Sequence, residues 1–309
     1  MMTMGFHRLH GLMLLAFLVL SSRLSPGESA ESMSGTYHST VSEVRLTFFT
    51  TDQHAQGRAQ LKKDDFAVVD NGLVVRDFRS FSRSDVTQLD VLLLVDSSKS
   101  VLPRFRQEIT DVLRLVSQTT SIADDHISIV SFGGMEPRIL CAGNCRGAPA
   151  EAQLAAATAD GQTPLFDAVL FAANFLAKHH DPAARPVLIL FSDGEDTISR
   201  SSASDAIAAV LTSEAQIYAV DLGNAQSLSN GTVTLQNMAA ATGGRYFAIR
   251  EGAVKVLSSV LEDLHTGYIV TYRLPSRTAG FHWVRILPTR NLNLQFRCRR
   301  GYHYASAVR

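Results

Sequence analysis

Five oxygen-bearing side chains stand where a folded chain could gather them: Asp96, Ser98 and Ser100 in "VDSSKS", Thr163 in "DGQTPLFDA", and Asp193 in "LILFSDGEDT". Two carboxylates roughly balance a divalent ion, and three hydroxyls add ligands without adding charge. Such an all-oxygen set suits a small hard cation such as Mg²⁺, and leaves it electrophilic enough to accept a further anionic oxygen. A carboxylate from a protein partner is the natural sixth ligand. Lys99, between two of the serines, either attracts such an acid or repels the metal, with a solvated side chain pointing away as the plainer reading.

These residues act together only if their loops converge. In "VLLLVDSSKS" an apolar run ends abruptly on Asp96 and its hydroxyls, which reads as a buried strand running into a loop. Between residues 89 and 264 such strands, at 90–95, 127–132, 138–141, 186–191, 216–221 and 245–249, alternate with helical stretches. Residues 103–116 have proline near the first turn. Residues 164–177 carry Leu165, Ala168, Val169, Ala172 and Phe175 on one face. The alternation predicts an α/β fold with a doubly wound, mostly parallel six-stranded sheet. In such sheets ligands bind beyond the carboxyl ends of the strands, where all three oxygen-bearing loops would lie.

The flanks follow another rhythm. Residues 44–81 are extended, with Asp70-Asn71-Gly72 marking a hairpin, and after residue 264 "YIVTYRL", "HWVRIL" and "LNLQFRC" read as strands. Neither flank has enough strands for a stable sheet alone, so the two are expected to form one small β module. The resulting division is a signal peptide at 1–30, an N-terminal β segment at 40–86, the α/β domain at 87–265 and completing strands at 266–305.

The 309 residues carry 29 basic and 29 acidic side chains, and this balance argues against a nucleic-acid partner. Arg297, Arg299 and Arg300 alternate with Phe296 and Cys298 and read as the polar face of a strand. Arg8 and His10 precede an apolar block from Leu12 to Leu20, too short to span a bilayer. The segment reads as a leader cleaved between about residues 22 and 32. Its removal would give an exported chain, periplasmic or secreted, with no membrane span. Export makes Cys141 and Cys145 in "CAGNC" disulfide candidates, the alternative being two surface thiols. Cys298 stands apart, and Cys and His at zinc spacing are missing.

The three loops resemble the metal-ion-dependent adhesion site, or MIDAS, of von Willebrand factor type A domains: a DxSxS loop plus Thr and Asp from later loops. The resemblance implies a six-stranded doubly wound sheet with one antiparallel edge strand. It further implies that Asp96, Ser98, Ser100, Thr163 and Asp193 hold Mg²⁺ or Mn²⁺, and that the metal binds an acidic residue of a partner. "LKKDDFAVVDNG", "GGRYF", "GYIVTY" and "RRGYHY" resemble the flanks of the type A-related proteins typical of acidobacteria. Lys99 departs from the glycine common in that loop. Two alternatives stand beside adhesion: a structural scaffold without metal, and a Mg²⁺-dependent hydrolase or phosphatase. The enzyme reading lacks parts. A haloacid-dehalogenase-like phosphatase needs a second acid where Ser98 stands, and no G-x-S-x-G elbow, P-loop or G-x-G-x-x-G turn occurs. His179 and His180, beside Asp181, read as the polar end of a helix.

Overall fold

The computed structural model describes residues 43–52, 61–85, 87–99, 101, 125–145, 152, 161–179, 181–223, 229–249 and 253–305. The leader, Ser100, the expected helix at 103–116 and His180 lie outside the described residues. The N-terminal flank gives four strands, β1 (Glu43–Asp52), β2 (Phe66–Asp70), β3 (Leu73–Val75) and β4 (Phe78–Arg83). In β1 the alternation of the sequence becomes a buried face of Val44, Leu46 and Phe48. Asn71 and Gly72, with φ of 48° and 84°, join β2 to β3. Two consecutive positive φ values match the twist of a tight hairpin, which is why Asn-Gly is favoured there.

The α/β domain has strands β5 (Leu89–Asp96), β6 (His126–Phe132), β7 (Arg138–Cys141), β8 (Arg185–Ser192), β9 (Gln216–Asp221) and β10 (Tyr246–Ala248). Its described helices are α1 (Leu165–His179), α2 (Ala203–Thr212), α3 (Asn230–Thr242) and α4 (Ala253–His265). The sheet order is β10-β9-β8-β5-β6-β7, parallel throughout except for β7. All eight residues of β5 and of β8 are buried, because both faces of the sheet are covered. Leu89, Val91, Leu93 and Val95 pack with Val256, Leu257 and Val260 of α4. Leu92 and Leu94 pack on the other face with Leu165, Val169 and Ala172 of α1 and Leu235 and Met238 of α3. Each fully buried side chain of this size contributes ~1.5–3 kcal/mol, so central strands are the firmest base from which to hang a loop. At the sheet edge Cys141 and Cys145 form a disulfide.

The C-terminal flank supplies β11 (Tyr268–Arg273), β12 (Gly280–Pro288), β13 (Leu294–Cys298) and β14 (Gly301–Tyr304). The two flanks interleave as two four-stranded sheets, β13-β1-β11-β4 and β14-β12-β2-β3. Both neighbours of β1 are thus C-terminal strands. Between the sheets lies a core of Leu46, Phe48, Phe66, Val68, Val270, Val284 and Ile286. Asp70, fully buried, accepts hydrogen bonds from Tyr272 Oη at 2.8 Å and Tyr302 Oη at 2.7 Å, with His282 Nδ1 at 3.1 Å.

Arg297 and Arg299 were expected on the polar face of a strand; Arg297 lies in β13, Arg299 just past its end, and both side chains meet the α/β domain. Arg297 reaches Asp263 of α4 at 2.6 Å and lies 4.0 Å from the Phe49 ring. Arg299 is buried, donating to Arg45 O at 3.0 Å and Glu214 at 3.2 Å. Polar alternation marked a second packed face, and the α/β domain covers it.

Candidate metal centre

The first loop leaves β5, whose parallel neighbours β6 and β8 fix its end on both sides. The chain turns at once: Ser97 N–H donates to Phe132 O at 2.7 Å, at the end of β6. The approach is close enough that a Cβ on Gly133 would lie 2.8 Å from Ser97 Oγ, which accounts for glycine there. Asp96 Oδ1 accepts the Ser98 N–H at 2.9 Å, and Oδ2 accepts Ser192 Oγ–H at 2.7 Å. Asp96, Ser98 and Thr163 are buried, while Asp193 is half-buried.

The third loop wraps the start of α1 and fixes the second. Thr163 N–H donates to Thr197 Oγ1 at 2.7 Å, and Thr197 N–H returns to Thr163 O at 2.9 Å. Ser199 Oγ accepts from Phe166 and Asp167 N–H at 3.0 and 3.2 Å, occupying donors that the first helical turn leaves free. Burial pushes the Asp167 carboxyl up, but the Arg200 and Ser201 donors outweigh it and hold it below the ordinary carboxylate range. Asp193 Oδ1 accepts Glu195 N–H at 3.1 Å. Ser192, between the loops, donates to Asp96 and accepts Gly194 N–H at 3.0 Å. Lys99 is exposed, and a Cβ on Gly161 would lie 3.9 Å from its Nζ, so the side chain runs toward the second loop.

A family model of the von Willebrand factor type A domain matches residues 90–261, more than half of the chain. The chain belongs to the von Willebrand factor type A family. No curated protein matches it by sequence. Among solved structures, an aerotolerance-related membrane protein from Bacteroides fragilis is 15% identical, over 57% of this chain and 98% of that one, at a TM-score of 0.46. The SpRpn10 VWA domain is 12% identical, over 53% of this chain and 88% of that one, at 0.42. Proximal thread matrix protein 1 from the mussel byssus, with a zinc-occupied MIDAS motif, is 15% identical, over 63% of this chain and 49% of that one, at 0.48.

Within this von Willebrand factor type A domain the donor chemistry fits a hard cation. Burial pushes the Asp96 carboxyl up to about 6 against the hydrogen bonds from Ser98 and Ser192, and the charge of Asp193 pushes the same way. No Lys or Arg forms an ion pair with Asp96 among the described residues. A buried carboxylate beside a second one is costly unless it is protonated or a cation is supplied. No group of three His, Cys, Asp or Glu is placed to hold a metal ion among the described residues, so a cation here would rely on the hydroxyls as well as on two acids. The fold brings Asp96, Ser98 and Asp193 within mutual influence and ties Thr163 to the Asp193 loop. Ser192 and Thr197, which cross-link the loops, are the contributors that the sequence reading omitted. The only signal for Ser192 is its place between an apolar strand and Asp193.

Proposed function

We propose that this domain is the binding head of an exported protein, holding a divalent cation at Asp96, Ser98, Ser100, Thr163 and Asp193 and capturing through it an Asp or Glu side chain of a protein partner. The observation that carries the reading is the Asp96 carboxyl, fully buried beside Asp193 and without an ion pair among the described residues. Mg²⁺ or Mn²⁺ bound there would supply a Lewis-acidic position for a partner's carboxylate. The chain's own part is positioning. Ser192 holds one oxygen of Asp96, the Ser98 backbone holds the other, and Thr197 fixes Thr163 from both sides. No histidine stands in residues 96–101, 161–164 or 192–201, which favours capture over catalysis. The Cys141–Cys145 disulfide suits an oxidising compartment, and no described helix is long and apolar enough to cross a membrane.

The test is retention of partner from the native envelope or culture fluid on immobilised protein, in Mg²⁺ and in EDTA, for wild type and Thr163→Ala. Retention by wild type in Mg²⁺ alone is expected, with circular dichroism confirming that the variant folds. Equal retention in all four conditions would rule the reading out.

A further inference from the structure

The flanking sheets meet the α/β domain at a cleft of about 510 Å³ whose lining includes no residue of the candidate metal centre. Its walls carry Arg245, Arg285, Arg297 and Arg300 and no Asp or Glu, although the chain as a whole is neutral. Arg245 and Tyr246 line it at the start of β10, an edge strand of the six-stranded sheet, whereas Asp96 ends the interior strand β5. The surrounding backbone is well tied. Arg300 N–H donates to Ala241 O at 2.9 Å, and Arg300 O accepts Val284 N–H at 2.8 Å. Gly243, at the end of α3, comes so near that a Cβ there would lie 2.5 Å from Arg299 N.

The charge in this cleft is only partly compensated. Arg245 and Arg297 share one carboxylate, Asp263, at 3.4 and 2.6 Å. The side chains of Arg285 and Arg300 are exposed and make no ion pair or side-chain hydrogen bond among the described residues. Guanidinium forks match pairs of phosphate oxygens, and a concave wall of one sign concentrates counter-charge. The volume is that of a small-molecule site, and Phe296 and Tyr246 add ring surface to the wall.

We propose that this cleft is a binding site for a small phosphate-bearing anion of two or more negative charges, gripped by Arg285 and Arg300 and drawn in by the field of Arg245 and Arg297. The proposal does not depend on the metal centre. Inorganic pyrophosphate is the probe, titrated calorimetrically into metal-free full-length protein at constant ionic strength set with chloride. Saturable binding is expected for wild type and equally for Asp96→Asn, which excludes capture through metal. Each of Arg285→Ala and Arg300→Ala should weaken it by about tenfold or more, the usual loss for a charged hydrogen-bonding group. Both variants should melt like wild type, since neither side chain holds the fold together. Absence of saturable heat with wild type, unchanged affinity in Arg285→Ala or in Arg300→Ala, or loss of binding in Asp96→Asn would each overturn the proposal.

Discussion

At the scale of single residues, Asp96 sets a measurable signature. Its carboxyl, raised to about 6 from 3.8 by burial, keeps a proton in the folded state that the unfolded chain has already released between those values. Stability of the metal-free protein should therefore fall as pH rises through that window, by up to about 3 kcal/mol at pH 7. Asp96→Asn removes this dependence, so urea unfolding at pH 5 and pH 7 should show a steeper pH effect in wild type than in the variant. Parallel curves would contradict the burial argument. Metal must displace the same proton, so its stabilising effect should fade below about pH 6. That Asp96, Ser98, Thr163 and Asp193 stand in loops beyond strand ends was legible in the sequence, because strand ends and hydroxyl-rich loops announce themselves locally. Ser192 and Thr197 were not, because their hydrogen bonds join loops about 100 and 34 positions apart and exist only once those loops meet.

At the scale of elements, the buried strands β5 and β8 and the amphipathic helix α1 were legible because continuous apolar runs and a helical period survive burial unchanged. The polar strand β4, "FRSFSR", extends past the expected extended region, and β14, "GYHY", was not assigned as a strand. Both gain their ordering from neighbouring strands rather than from composition. The packing of Arg297 and Arg299 was not legible for a related reason: alternation in one chain segment does not say whether its second face meets water or another layer. The loop after β8 depends on an equally non-local fit. Gly194 has a φ of 79°, and a Cβ there would lie 2.2 Å from Gly231 O. Gly194→Ala should cost about 1–2 kcal/mol from the left-handed backbone alone, and more from the contact with α3. It should also weaken the metal response, since Asp193 must move with the loop. Wild-type denaturation and metal titration curves for this variant would contradict the assignment.

At the scale of the whole molecule, the α/β domain is an insertion between two flanks that complete each other. Because β1 pairs only with β11 and β13, removing residues 268–309 should leave the N-terminal strands open to protease, whereas unchanged resistance would refute the pairing. The flanks are further registered by Asp70, whose loss strands two tyrosine hydroxyls and a histidine in the core. Asp70→Ala should destabilise by about 3–5 kcal/mol, seen as a lowered urea midpoint, and a midpoint within error of wild type would contradict that role. That the two flanks join was legible as a shortage of strands in either one, but their interleaved order in two sheets and its register rest on side chains separated by some two hundred residues. Capture of a carboxylate through metal requires the three loops to act as one cation site. The most direct test of that requirement is calorimetric titration of Mn²⁺ or Mg²⁺ into the full-length protein at pH 7.5, for wild type and Asp96→Asn. One saturable site in wild type, absent from the variant, is the expected result; no binding in either, or the same binding in both, would contradict it.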